Sequence, residues 1–194
     1  MEFSEGSLVI GKELTELDKK VLRFVGELER LDIDYVIVSG YVAILAGRSR
    51  GTEDIDFLID EASVTPGKFE ELLQDYWCID TSKEGIIDKL DDDLSIRLAE
   101  IDEVIPNFEL FYPTSRWDDE ALEDKLEAKL GEESLFISPL ELQIAYKLYL
   151  GAEKDIEDAL HLFTVFQEDL DMEKLEKYIG QMGVEDEFRR IRET

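Results

Sequence analysis

The chain has 194 residues, with 49 Asp or Glu against 21 Lys or Arg, a formal charge of −28 and 44% apolar residues. That length and apolar share suit one folded domain, or one domain with a helical extension, and exclude wholesale disorder. The negative surface repels phosphate backbones, which makes extended nucleic-acid binding unfavourable, and no run approaches the ~18 uninterrupted apolar residues of a membrane helix.

The start, Met1-Glu2-Phe3-Ser4-Glu5-Gly6, lacks the basic and apolar regions of an export signal, so a cytoplasmic protein is expected. From Lys12 to Leu31 apolar residues recur at spacings of three and four, which predicts an amphipathic helix. Tyr35-Val36-Ile37-Val38 is too short for a helix and rich in β-branched residues, the pattern of a buried strand ended by Ser39-Gly40. A short helix over Tyr41–Ala46, a polar loop over Gly47–Thr52 and a second buried strand over Ile55–Ile59 follow.

Pro66 opens a further amphipathic helix running to Asp75, and Tyr76–Ile79 reads as a strand. The lone cysteine, Cys78, sits among apolar neighbours and has no partner for an intramolecular disulfide. Leu94–Leu98 and Asn107–Tyr112 alternate like strands of the same sheet. Residues 117–137 fit two descriptions, a helix through Leu122, Leu126 and Leu130 or a hairpin turning at Gly131.

From Ser138 the pattern is helical only. Ser138-Pro139-Leu140-Glu141 has the form of a capping box with proline at the first helical position, opening a helix that runs to Leu150 and stops at Gly151. Helices over Asp155–Phe166, Met172–Ile179, with Gly180 as its stop, and Val184–Ile191 complete this part.

The chemistry concentrates between Val36 and Ile59. A strand ending in Ser39-Gly40 before a helix puts a glycine where a bulky group must approach the backbone, and helix N–H groups where phosphate oxygens bind. Asp54 and Asp56 stand two apart on the next strand, so both carboxylates leave one face while Ile55 and Phe57 enter the core. Two anions this close favour either a shared proton or a divalent metal; oxygen-only donors favour Mg²⁺ or Mn²⁺ and the phosphates of a nucleotide.

Ser39, Gly40, Ala43, Gly47, Arg50, Thr52, Asp54, Ile55 and Asp56, in that order, resemble the nucleotidyltransferase superfamily with the DNA-polymerase-β-like fold. The branch most similar is that of AbiEii-type toxins and their relatives, and Ser138 to Leu142, Lys147, Lys154, Asp155 and Asp158 are similar to its later helical motif. The resemblance implies an α+β fold: a mixed-sheet catalytic core over residues 1–137, with residues 138–194 a helical subdomain packed on it. It also implies transfer of a nucleoside monophosphate from an NTP to an acceptor hydroxyl, with Mg²⁺ (or Mn²⁺) held by Asp54, Asp56 and a third carboxylate, for which Glu109 is the candidate and Asp102 the alternative. Ser39, Gly40, Arg50, Thr52 and Lys147 would then bind nucleotide, and Arg48 is added on its position alone. The expected partners are an NTP and a small molecule, protein or RNA end as acceptor. The rival expectation is a catalytically silent binding protein on the same fold, or a toxin–antitoxin component that acts by occupying a protein partner.

Overall fold

The computed structural model describes residues 2–4 and 6–193. Strands β1 (Glu2–Ser4) and β2 (Ser7–Val9) precede α1 (Glu16–Arg30), β3 (Tyr35–Val38), α2 (Gly40–Leu45) and β4 (Asp54–Ile59). Next come α3 (Pro66–Leu72), β5 (Tyr76–Cys78), α4 (Ile86–Asp91), β6 (Ile96–Glu100), β7 (Asn107–Phe111) and α5 (Arg116–Glu123). The hairpin β8 (Leu126–Leu130) and β9 (Glu133–Ile137) leads to α6 (Leu140–Leu150), α7 (Glu153–Phe166), α8 (Met172–Met182) and α9 (Glu185–Arg192).

The strands form one mixed sheet in the order β1-β2-β8-β9-β3-β4-β7-β6-β5, so the α+β class and the mixed sheet are as expected. At its centre β4 runs antiparallel to β3 and parallel to β7. Register places Ile55 beside Phe108, Asp56 beside Glu109 and Phe57 beside Leu110, so the two strands share their alternation. Ile55, Phe57, Phe108 and Leu110 are buried on one face. There Phe24 of α1 stacks on Phe108, ring centroids 4.0 Å apart, and meets Phe57 edge-on at 5.2 Å. Full burial of one such ring stabilises the fold by about 1.5–3 kcal/mol, which commits this face to packing. The opposite face carries Asp54, Asp56, Asn107 and Glu109 at one end, with Leu58 and Phe111 at the other.

One polar device joins α1 to α2. Thr15 caps α1 in a capping box with Asp18, and the buried Asp18 also accepts a 2.8 Å hydrogen bond from the Tyr41 hydroxyl of α2. Burial raises the Asp18 pKa most strongly, but bonds from Thr15, Tyr41 and Lys12 together hold the carboxyl below its ordinary value. Asp18 therefore ties the first turn of α2 to the first turn of α1.

Several local expectations need correction. In residues 117–137 the helix stops at Glu123 and so does not run through Leu126 and Leu130, which belong instead to the hairpin turning through Gly131, whose φ of 69° suits glycine. Ser138 does not cap α6: its backbone N–H donates to Ile37 O at 2.9 Å, which draws it into the sheet, and α6 begins at Leu140 without a side-chain cap. Glu141, the expected partner of that cap, accepts from the Asp171 N–H at 2.9 Å. Helix α8 runs through Gly180 and ends at Gly183, which takes the left-handed conformation at φ 70°. The short strands β1 and β2 carry too few residues for a periodic signal and lie outside the expected elements. No helix among the described residues is long and apolar enough to cross a membrane.

Candidate active site

Asp56 lies where β3, β4 and β7 meet, opposite Val38 on one side and Glu109 on the other. Its carboxyl is pushed up to about 6, first by burial and then by the charges of Asp54 and Glu109, while a hydrogen bond from Ser39 and the charge of Lys147 oppose the rise. Asp54 follows the same face one pleat away, and the Thr52 hydroxyl bonds to its backbone oxygen at 2.8 Å and its Oδ1 at 3.3 Å. Thr52 thereby sets the orientation of the first aspartate.

Ser39 joins β3 to α2 with φ 62° and ψ −132°, a backbone conformation that costs a non-glycine residue about 1–3 kcal/mol. The side chain of Gln143 on α6 restrains it from both ends of its amide, accepting from Ser39 N–H at 3.3 Å and donating to Ser39 O at 3.0 Å. Gln143 is only 3% exposed and is absent from the sequence reading. A glutamine among Leu142, Ile144 and Ala145 was its one visible signal.

The bulky group that requires a glycine at position 40 is a side chain of the protein itself. A Cβ there would lie 2.0 Å from Arg50 Nη2 and 3.1 Å from Arg50 Cζ. Arg50 is held in place from the other side, where its Nη2 lies 3.4 Å from Asp158 Oδ2. Asp158, fully buried, also faces Arg48 Nε at 3.0 Å and Lys147 Nζ at 3.2 Å. Lys147, itself 2% exposed, makes a shorter contact of 2.6 Å to Asp155, and Arg48 reaches Glu157 at 2.5 Å. The three expected phosphate-binding cations thus converge on Asp158 and are matched in charge by Asp155, Glu157 and Asp158. Among the described residues, neither Asp158 oxygen has a partner in hydrogen-bond geometry, so this cluster is held by charge more than by directed bonds.

Glu109 is brought beside Asp56 by register, yet its two oxygens are engaged elsewhere: Oε1 accepts from the Ser95 hydroxyl at 2.5 Å and Oε2 lies 3.3 Å from Arg97 Nε. Its charge reaches Asp56, but no group of three acidic, histidine or cysteine side chains among the described residues converges in a metal-binding arrangement. Asp102, the alternative, is exposed in the turn after β6. Asp54 and Asp56 alone still fit a magnesium ion, which is commonly held by one or two carboxylates with phosphates and water completing its shell. The chain's one histidine, His161, packs against Ala46 O at 3.0 Å.

Beyond Asp56 the same face of the sheet opens into a cleft of ≈ 190 Å³ between α5 and α6, with Ser39, Gln143 and Lys147 also in its wall.

The mixed sheet with its flanking helices is a fold found among nucleotidyltransferase-like structures. Two solved structures share it at low identity. An antigenic nucleotidyltransferase-like protein from Paracoccidioides brasiliensis aligns over 86% of this chain and 87% of its own, at 19% identity and TM-score 0.55. The antibiotic-resistance factor ANT(2'')-Ia aligns over 86% of this chain and 92% of its own, at 16% identity and TM-score 0.51. At such identities the likeness is one of fold. No family model matches the chain, and no match is found among curated proteins.

Proposed function

We propose that this chain transfers a nucleoside monophosphate from an NTP to an acceptor hydroxyl. The observation that carries the reading is the pair Asp54 and Asp56, set beside Glu109 on one sheet face and short of cations, where burial first and then the neighbouring carboxylates push Asp56 up to about 6. A structural pair of aspartates would be expected to have a fixed cation, as Asp155 and Asp158 do. The fold shared with nucleotidyltransferase-like proteins supports the same reading by analogy.

In this reaction the acceptor oxygen forms a bond to the α-phosphorus, the bond from that phosphorus to the α,β-bridging oxygen breaks, pyrophosphate leaves, and the hydroxyl proton passes to solvent. Asp54 and Asp56 would hold a divalent ion, which when bound supplies charge neutralisation on the triphosphate and a more acidic acceptor hydroxyl. Thr52 orients Asp54, and Ser39, kept in its strained conformation by Gln143, donates to Asp56. Lys147 shares the cleft wall with Asp56 and, being paired with Asp155 and Asp158, lends the site its charge rather than a free ammonium. Arg48 and Arg50 act from behind, where Arg50 fills the space over Gly40.

A second reading has its own observation. Glu109 is tied to Ser95 and Arg97, and a site left with two ligands fits a catalytically silent relative of the fold that works by binding, including a toxin–antitoxin component. The AbiEii-like branch rests on the motif residues alone.

Incubation with Mg²⁺ and each labelled NTP, with cell extract as the source of acceptor, tests the first reading. Label transfer or pyrophosphate release is expected from the unaltered protein and not from Asp54→Ala plus Asp56→Ala; turnover that survives the double substitution overturns the assignment.

A further inference from the structure

The cleft beyond Asp56 has a chemistry of its own. Its walls are Leu58 and Phe111 from the sheet, Trp117 and Ala121 from α5, and Tyr146 and Leu150 from α6. Trp117 is fixed as a wall, with the Arg116 guanidinium 3.8 Å above its ring centre and Tyr178 edge-on at 6.0 Å. The volume, ≈ 190 Å³, falls below the ~300–1,000 Å³ of pockets for larger ligands and a little above the ~150 Å³ that holds benzene. One six-membered ring with one or two substituents fits it.

Charge narrows the occupant further. The lining has two carboxylates, Asp56 and Asp118, and one cation, Lys147, whose charge is already matched by Asp155 and Asp158. Arg116 lies outside the lining. An anionic group entering this cleft would lose hydration and meet two carboxylates in its lining, at a cost its walls do not offset.

Position decides which reactant the ring belongs to. Asp56 is both a wall of the cleft and a member of the aspartate pair, so whatever fills the cleft touches the reacting centre. In an NTP the base is separated from the α-phosphate by the ribose, whereas an acceptor must bring its hydroxyl to that phosphorus directly. We infer that the cleft between α5, α6 and the sheet seats the ring of an uncharged small-molecule alcohol or phenol, with its hydroxyl directed at Asp56. The role as acceptor rests on the nucleotidyl-transfer reading; the preference for a neutral ring does not.

The chain has two tryptophans, and Trp77→Phe leaves Trp117, in the cleft wall, as the sole tryptophan, read by excitation that spares the tyrosines. Without NTP or metal, benzyl alcohol is expected to change that fluorescence saturably, with benzoate at least about tenfold weaker, as exclusion of a charge from a low-dielectric site requires. Ala121→Leu, which fills the cleft, is expected to weaken benzyl alcohol at least about tenfold by the same loss of space that limits any close-packed interior. If that variant fails to fold, Leu150→Arg at the exposed mouth is expected to turn the preference toward benzoate. Absence of saturable binding, equal or tighter binding of benzoate, or an unchanged preference in Leu150→Arg overturns the inference. A nucleoside that displaces benzyl alcohol at lower concentration than benzyl alcohol itself requires assigns the cleft to the base and also overturns it. Ring binding without label transfer would sink the nucleotidyl-transfer reading alone, and label transfer without ring binding would sink this inference alone.

Discussion

Two sets of acids lie on either side of Lys147, and the protein treats them in opposite ways. Asp155 and Asp158, on α7, are buried and surrounded by Lys147, Arg48 and Arg50. Asp54 and Asp56, on β4, have each other and Glu109 as neighbours, and the charge of Lys147, already paired on α7, only partly offsets them. The first set is complete and belongs to the architecture, because it pins α7 to the loop after α2 and, through Arg50, backs Gly40. The second is electrostatically unfinished, which is the condition expected of a site that completes itself with a cation and a phosphorylated substrate.

The largest effect should come from the unfinished set. Replacing Asp54 and Asp56 by alanine is expected to lower nucleotidyl transfer by at least about 10³-fold, since the charge stabilisation supplied through a bound metal is usually worth several kcal/mol. The fold, read by circular dichroism, should persist. In the complete set the same type of change should act on stability: Asp158→Asn leaves Lys147, Arg48 and Arg50 without their common anion and is expected to cost about 3–5 kcal/mol in urea unfolding.

The pH dependence of the two sets should also differ. The folded-state pKa of Asp56, about 6, lies above its ordinary 3.8, so between these values the folded chain holds more protons than the unfolded one. Stability contributed by the protonated form is full below about pH 4 and is lost as pH rises through 6, a loss of up to about 3 kcal/mol at 1.36 kcal/mol per unit. Asp56→Asn should therefore stabilise the protein at pH 8 and bring little gain near pH 4, and urea midpoints at the two pH values measure this. A smaller effect is expected at the hinge between the sets. Gly40→Ala pushes Arg50 away from Asp158 and should cost about 1–3 kcal/mol, with Gly40→Ala and Arg50→Ala less than additive in a double-mutant cycle. Smallest of all is Arg97→Ala, whose half-exposed pair with Glu109 should change stability by under about 1 kcal/mol.

The unfinished set was legible in the sequence because its determinants are local. Asp54 and Asp56 share a face by strand period, and the flanking Ile55 and Phe57 declare which face is core. The strand–turn–helix–strand order around them follows from a short apolar run, a glycine and a second run. The acids of the complete set were singled out in the sequence only through the resemblance, and their pairing with the cations was not legible, because Arg48 and Asp158 stand 110 positions apart and no periodicity links them. Gly40 was recognised as a close-approach position, but its neighbour could be named only once α7 had fixed Arg50. Ser138 carried every local mark of a helix cap, and a single sheet hydrogen bond to Ile37 outweighed them. Residues 117–137 resisted a single description because they hold a helix and a hairpin in sequence, and Leu126 and Leu130 satisfy both periods at once.

The contrast between a finished and an unfinished acidic site is tested most directly by calorimetric titration of Mg²⁺ into the protein in the presence of an NTP at pH 8. A saturable binding event is expected that requires both metal and nucleotide, is lost in Asp54→Asn plus Asp56→Asn, and survives Arg97→Ala. Absence of metal-dependent nucleotide binding in the unaltered protein, or its persistence in the double variant, would overturn the assignment of Asp54 and Asp56 and favour the binding-protein reading.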